Sequence, residues 1–242
     1  MMESIISIKN LRKNYGRVTA LEIPALEMKR AESVGVVGNN GAGKTTLFRA
    51  ILDLLKLSSG SVKINNEEVS KGTLWKKMTG AYLDSGFIIP YLLPEEYFNF
   101  IAKVRDISLE ELERQLSRFE KLFNKQILGK GKYIRDLSKG NMKKVGIAAA
   151  FLGNPDLVIM DEPFAHLDPS SQFELRRIFS HLDQETDTTL IISSHDLTHV
   201  AEFCKRIIVL HEGKVTKDLY TNENTLKELQ DFFSANREES FF

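Results

Sequence analysis

Two short polar segments contain the side chains best suited to chemistry on a phosphate. The first, residues 38–46 (GNNGAGKTT), lies between an apolar run at 34–37 and a helix-like run that begins at Leu47. It matches the pattern G-x-x-x-x-G-K-[ST], in which glycines let backbone N–H groups point at phosphate oxygens and the lysine contacts the β and γ phosphates. The residues predicted to bind ATP in this loop are Gly38, Asn39, Asn40, Gly41, Ala42, Gly43, Lys44, Thr45 and Thr46.

The second segment is an acidic pair, Asp161 and Glu162, that follows the apolar run 157–160. Side chains at the end of such a strand emerge at the carboxyl edge of the sheet, beside the phosphate loop. Asp161 and the Thr45 hydroxyl suit the ligation of Mg²⁺, and Glu162 suits a base that polarises the attacking water. The pair therefore favours hydrolysis of bound ATP over an acidic turn that only faces solvent.

The elements that must position these segments follow from the apolar pattern. Short β-branched apolar runs alternate with longer amphipathic runs, which is typical of an α/β domain with a mostly parallel sheet. Runs that are apolar on both faces predict central strands at 33–37, 157–160, 189–192 and 207–210. Alternating residues at 4–9 and 61–65 predict a small antiparallel sheet beside the main one.

A helical insertion is predicted between about residues 90 and 153, where strand signals vanish. Within it, 109–123 predicts one helix, with Ser108 and Glu111 at the spacing of a capping box. We interpret 90–153 as a helical subdomain inserted into the α/β core of a single domain, 1–242. Residues 225–242 predict a C-terminal helix with a frayed end.

Composition and charge limit the classes of protein to which this chain can belong. The 242 residues are enough to bury a substantial core, and 33 basic residues balance 33 acidic ones, so a net field that attracts nucleic acid is not expected. The chain has no apolar run of about 18 residues or more and no signal-peptide pattern, so we expect a cytoplasmic protein that does not cross a membrane by itself. The single cysteine, Cys204, is expected to be a buried structural thiol.

Further motifs resemble one family of ATPases. Residues 137–141 (LSKGN) resemble the LSGGQ signature of ATP-binding cassette (ABC) proteins. The other family motifs follow in order: Tyr15 stands where an aromatic ring stacks on adenine, 165–168 (AHLD) resembles the loop that joins two cassettes, and 193–196 (SSHD) resembles the switch-histidine segment. The resemblance covers the chain from Ile5 to about Lys214.

This resemblance implies a P-loop ATPase that uses ATP and Mg²⁺ and works as a dimer. Ser138 resembles a helix N-cap, which leaves backbone amides and a helix dipole free to hold an anion. In this family the anion is the γ-phosphate of ATP on the opposite subunit, so two cassettes close head to tail around two ATP molecules. The residues implied are Ser138, Lys139, Gly140 and Asn141 in the signature, Asp168 in the dimer loop, and Glu162 and His195 as catalytic residues.

The resemblance also implies partners. It predicts the ATPase subunit of a transporter, a homodimer held at the inner face of the cell membrane by a separate permease, with no nucleic acid partner. The run SKGNMKKVGIA at 138–148 resembles the single-cassette subunits of export-type systems more than those of solute importers. One alternative is a soluble cassette ATPase that acts on ribosomes or nucleic acid; another is a cassette that binds ATP as a switch and hydrolyses it poorly.

The chain departs from the family pattern at three positions. Lys139 replaces a glycine and Asn141 a glutamine in the signature. Ser85, with Asp84 beside it, stands where the family has a glutamine that touches the metal and the attacking water. Asp84 or Ser85 is therefore a further candidate for contact with Mg²⁺, although neither combines the reach of glutamine with its neutral donor and acceptor.

Two groups of residues have more than one interpretation. Eight basic residues are predicted mainly as a solvated face, with attraction of the partner's ATP or contact with nucleic acid as alternatives; they are Lys121, Lys125, Lys130, Lys132, Arg135, Lys139, Lys143 and Lys144. Four aromatic residues are predicted as core more than as a groove for a permease; they are Tyr91, Tyr97, Phe98 and Phe100.

Overall fold

The computed structural model describes residues 3–238, except for the side chains of residues 85, 183–185 and 236–238. The strands are β1 (Ser4–Tyr15), β2 (Val18–Lys29), β3 (Ser33–Val37), β4 (Ser59–Ile64), β5 (Glu67–Glu68), β6 (Thr79–Tyr82), β7 (Leu157–Met160), β8 (Thr189–Ser194), β9 (Arg206–His211) and β10 (Lys214–Tyr220). The helices are α1 (Lys44–Ile51), α2 (Pro94–Val104), α3 (Leu109–Ser117), α4 (Glu120–Phe123), α5 (Lys139–Phe151), α6 (Pro169–Glu185), α7 (Leu197–Phe203) and α8 (Thr225–Glu238).

The main sheet confirms the predicted α/β class. Within residues 3–238 its strand order is β10-β9-β3-β8-β7-β6. Neighbouring strands from β9 to β6 are parallel, and β10 pairs antiparallel with β9 at the edge. Every residue of β3, β7 and β8 is buried. One face of these strands shares a core with α5, α6 and α7, and the other shares a core with α1 and with strands β1, β2 and β4.

The smaller sheet is antiparallel, as predicted, with the order β2-β1-β4-β5 in the described chain. Its apolar face packs against α1, because Ile6 and Ile8 share a core with Leu47 and Phe48. Strand β2 has no counterpart among the predicted strands. It lies at the edge of this sheet and contains Pro24, which has no N–H to donate. An edge strand tolerates a proline because it needs a partner strand on only one side.

The segment between β6 and β7 is helical, but the single helix predicted at 109–123 is wrong. The chain forms α3 and then α4, because it turns at Arg118 and buries the ring of Phe119 against Phe123 and Phe151. Ser108 does cap α3, since its Oγ accepts the Glu111 N–H at 3.2 Å. The reciprocal half of the capping box does not form, because the Glu111 carboxylate instead accepts hydrogen bonds from Arg114 and Gln115.

The four aromatic residues at the start of this segment divide between core and surface. Tyr97 and Phe98 are buried, whereas Tyr91 and Phe100 are 68% and 46% exposed.

Cys204 is buried, as predicted. The predicted C-terminal helix is α8, and its last predicted residues, 239–242, lie outside the described residues.

Across residues 3–238, no helix has the length and apolar character needed to cross a lipid bilayer.

Close packing between β6 and α5 makes Gly80 a sensitive position. A Cβ at Gly80 would lie 1.8 Å from the carbonyl oxygen of Ala150, so the helix must shift to accept it. Gly80→Ala is expected to lower the free energy of unfolding by about 2–3 kcal/mol, measured by urea denaturation. The control Gly129→Ala meets no atom within 4 Å and, at a φ of +70°, is expected to cost about 1 kcal/mol. Equal decreases in the free energy of unfolding in the two variants would contradict the argument that Gly80 is required by close packing.

Candidate active site

The phosphate loop joins β3 to α1 and is shaped by close backbone contacts. A Cβ at Gly38 would lie 2.3 Å from the carbonyl oxygen of Leu210, so only glycine fits there. Gly43 has a φ of 106°, which turns the chain into α1. The Lys44 Nζ is buried and donates to the carbonyl oxygens of Gly38 at 2.7 Å and Asn39 at 3.4 Å. The ammonium therefore lies inside the curve of the loop, where phosphates would sit.

Asp161 lies at the carboxyl edge of the sheet, next to the loop, as the sequence predicts. Its carboxylate accepts hydrogen bonds from the hydroxyls of Thr45 and Ser193, one on each oxygen. Mg²⁺ prefers oxygen ligands and is commonly held by one or two carboxylates together with substrate phosphates. The Thr45 hydroxyl and the Asp161 carboxylate fit that donor set.

Glu162 has a backbone φ of 48°, in the left-handed region that non-glycine residues rarely adopt. Its carboxylate accepts from His195, with Nδ1 at 2.8 Å, and lies 3.6 Å from the Lys44 Nζ. Ser193 Oγ accepts the Glu162 N–H at 2.9 Å, so one hydroxyl holds both acids of the pair. Asp161, Glu162, Ala20 and residues 40–46 line a cleft of about 230 Å³.

The signature segment begins α5. The Ser138 Oγ accepts the Asn141 N–H at 3.2 Å, which confirms the predicted N-cap. Lys139 is exposed, and Gly140 is close to the carbonyl oxygen of His166, where a Cβ would come within 3.0 Å. In the described part of the chain, no signature residue lines the cleft of the phosphate loop.

Two of the eight basic residues contradict the prediction of a solvated face. Lys143 and Lys144 are only 8% and 3% exposed. The Lys143 Nζ donates to the carbonyl oxygen of Glu162 at 2.6 Å, and the Lys144 Nζ lies 3.8 Å from the Asp168 carboxylate. Burial lowers the pKa of Lys143 to about 8, against the opposing effect of Glu162 and Asp161. The other six lie on exposed positions.

The remaining predicted residues lie at the margins of the site. Tyr15 ends β1 and is 52% exposed, with the Lys13 Nζ 4.6 Å from its ring centroid. The Asp84 carboxylate lies 3.8 Å from Arg49, one helical turn beyond Thr45, and also accepts the Gly86 N–H. The prediction for Ser85 concerns a side chain outside those described.

Sequence reasoning missed two residues that hold this site, Ser193 and Lys143. Ser193 had a recognisable signal, because it is a polar residue at the end of an apolar strand parallel to β7. Lys143 had none, because its partner is a backbone carbonyl on a distant segment.

Asp168 caps α6 and should contribute stability at neutral pH that is lost in acid. Hydroxyls of Ser170 and Ser171 and the Ser171 N–H donate to its carboxylate, which holds its pKa well below the ordinary 3.8. A depressed folded-state pKa contributes stability above the unfolded-state value that is lost as pH falls below it. We expect the loss of stability between about pH 5 and 2 to be smaller in Asp168→Asn than in wild type, measured by urea denaturation at each pH. Identical acid dependence in the two proteins would contradict this role.

Three features meet at one edge of the sheet: the glycine loop with Lys44, the Thr45–Asp161 pair, and Glu162. Together they define a P-loop nucleotide hydrolase. The comparisons with known proteins are more specific. The family model described as ABC transporter matches residues 21–165. The bacitracin transport ATP-binding protein BcrA of Enterococcus faecalis is 32% identical over 230 residues, which cover 92% of this chain and 71% of that protein.

Two further similarities agree with this match. The phosphonates import ATP-binding protein PhnC of Fusobacterium nucleatum is 28% identical over 248 residues, covering 94% of this chain and 98% of that protein. The dimeric structure of MJ0796, a bacterial ABC transporter cassette, matches with a TM-score of 0.79 at 25% identity, covering 90% of this chain and 99% of that one. The chain belongs to the ABC transporter family and is an ATP-binding subunit with ATPase activity. Its relatives include proteins named for bacitracin transport and for phosphonates import.

Proposed function

We propose that this chain is the ATP-hydrolysing subunit of an exporter, in which two copies close head to tail around two ATP molecules and drive a separate permease. The observation that carries this proposal is the division of the site. The phosphate loop, Asp161 and Glu162 share one cleft, while the capped start of α5 lies away from it. A second copy would bring its Ser138 to the open side of that cleft.

Residues in the cleft and at its margins have separate roles in this proposal. Tyr15 stacks on adenine, while the loop amides and Lys44 hold the phosphates. Thr45 and Asp161 would hold Mg²⁺, which would supply positive charge to neutralise the phosphates. Glu162 accepts a proton from the attacking water, and His195 orients the Glu162 carboxylate through the bond at 2.8 Å.

The signature residues would act on the ATP of the partner copy. The cap at Ser138 leaves the first N–H groups of α5 at an exposed helix start, where an anion is stabilised. Lys139 adds a positive charge at the same end. The dimeric state of the MJ0796 cassette supports this arrangement, and we propose that the partner is an identical chain.

The permease is proposed to dock near the start of the helical segment. Phe87, Tyr91 and Phe100 are 53%, 68% and 46% exposed, and Phe87 borders an apolar groove of about 400 Å³ beside Trp75 and Leu83. An apolar groove bordered by an exposed aromatic ring is typical of an interaction surface. Docking there would hold the chain at the cytoplasmic face of the membrane.

The proposed direction of transport and the proposed class of partner are supported by different observations. Export is supported by the signature segment and the residues that follow it. The comparisons give no support to the alternative of a cassette that acts on ribosomes or nucleic acid. The balance of 33 basic and 33 acidic residues also gives no net attraction to nucleic acid.

Co-purification from membranes tests this proposal. Tagged wild-type protein should retain a multi-span membrane protein, and the complex should hydrolyse ATP. Phe87→Glu should lose the partner, whereas Phe173→Glu, at another exposed phenylalanine, should keep it. Recovery of ribosomes without a membrane protein would contradict the proposal.

A further inference from the structure

Lys143 lies where lysine is rarely found. The residue is 8% exposed, and its Nζ donates to the Glu162 carbonyl oxygen at 2.6 Å and lies 6.0 Å from the Tyr82 ring centroid. A buried ammonium is costly unless hydrogen bonds and opposite charge compensate it, and here the carboxylates of Asp161 and Glu162 provide the charge. Because Lys143 contacts the backbone of the proposed base, it is suited to position that base.

The backbone of Glu162 is held at both of its polar groups. Its N–H donates to the Ser193 Oγ at 2.9 Å, and its carbonyl oxygen accepts from Lys143 and from the Ala165 N–H at 3.2 Å. The left-handed φ of 48° persists only where surrounding contacts hold it. Loss of the Lys143 donor would leave the direction of the Glu162 side chain less restricted.

Helix α5 connects this contact to the signature. Ser138 caps the helix, and Lys143 lies five residues further on, about 7.5 Å along the helix axis. The next residue, Lys144, lies 3.8 Å from the Asp168 carboxylate. Two successive lysines of one rigid helix therefore contact both ends of the segment 162–168.

From these contacts we infer that Lys143 is a positioning residue that couples the signature helix to the Glu162 of its own chain. Engagement of Ser138 by the partner's ATP would fix α5, and Lys143 would transmit that position to the Glu162 carboxylate in the other site. This inference rests on the proposed head-to-tail dimer. It gives each chain a direct mechanical link between the two ATP sites, through one side chain.

The first test replaces the ammonium with an apolar group of similar length. Lys143→Met should lower kcat by about 10-fold or more and change the KM for ATP by less than about twofold, because phosphate contacts are untouched. A general loss of folding would instead reduce the fraction of protein that binds ATP, so ATP binding is measured in parallel. Lys121→Met, at an exposed position on α4, should keep wild-type kcat.

A double-mutant cycle tests the coupling itself. If Lys143 transmits the state of Ser138, the double variant Ser138→Ala/Lys143→Met should be no slower than the slower single variant, within about twofold. Multiplication of the two single effects would overturn the coupling. Wild-type kcat in Lys143→Met, with Ser138→Ala slow, would overturn this inference and leave the proposed dimer standing. Wild-type kcat in Ser138→Ala would overturn both.

Discussion

Glu162→Gln should lower ATP turnover by about 10²–10⁴-fold while ATP still binds. The amide has nearly the shape of the carboxylate but cannot accept a proton from water. It keeps a carbonyl oxygen for His195, which lies 2.8 Å from the present carboxylate, so the site should retain its geometry. Phosphate release and the dissociation constant of ATP are the two measurements.

A matched control is available for this substitution. Glu212 is an exposed glutamate with a φ of 46°, close to the 48° of Glu162, but it lies in the turn between β9 and β10. Glu212→Gln therefore makes the same chemical change at a similar φ and should leave turnover unchanged. Turnover in Glu162→Gln within about twofold of wild type would remove Glu162 from the mechanism.

Lys44→Ala is expected to weaken ATP binding by about 100-fold or more. Its ammonium is buried within the loop and lies 2.7 Å from the Gly38 carbonyl oxygen, so it is already placed where the β and γ phosphates would sit. Two charge-assisted hydrogen bonds to phosphate are each worth about 1.5–3 kcal/mol, which sets this magnitude. Titration calorimetry with ATP and Mg²⁺ measures the affinity.

The control for this variant is Lys227→Ala, an exposed lysine on α8 that lies outside the cleft lining. It should bind ATP as wild type does. Wild-type affinity in Lys44→Ala would show that phosphates do not occupy the curve of the loop.

The sequence predicted well those strands of the site that are buried along their whole length. β3 and β7 are buried on both faces, so each appears as an uninterrupted apolar run, and the polar residues that follow them lie at one sheet edge. Elements with mixed surroundings were harder to predict. β2 has alternating exposure and contains Pro24, which disfavours a strand assignment unless the edge position is already known.

Tertiary contacts explain the remaining differences. The run of basic residues that ends at Lys144 has no local feature that separates its two buried lysines from its exposed ones. Their burial depends on the turn after β7, which the fold brings to α5 from elsewhere in the chain. Phe119 likewise interrupts a helical pattern because aromatic partners on α4 and α5 accept its ring.

The central claim is that two copies close head to tail around ATP. The most direct test is the molar mass of the Glu162→Gln variant in solution, measured with and without ATP by light scattering after size-exclusion chromatography. Slow hydrolysis should trap the closed state, so ATP should raise the mass to twice the 27.5 kDa of one chain. Ser138→Arg in the same background should prevent this change, because it would place a bulky side chain at the capped start of α5. A mass of one chain with ATP bound at saturation would contradict the head-to-tail dimer.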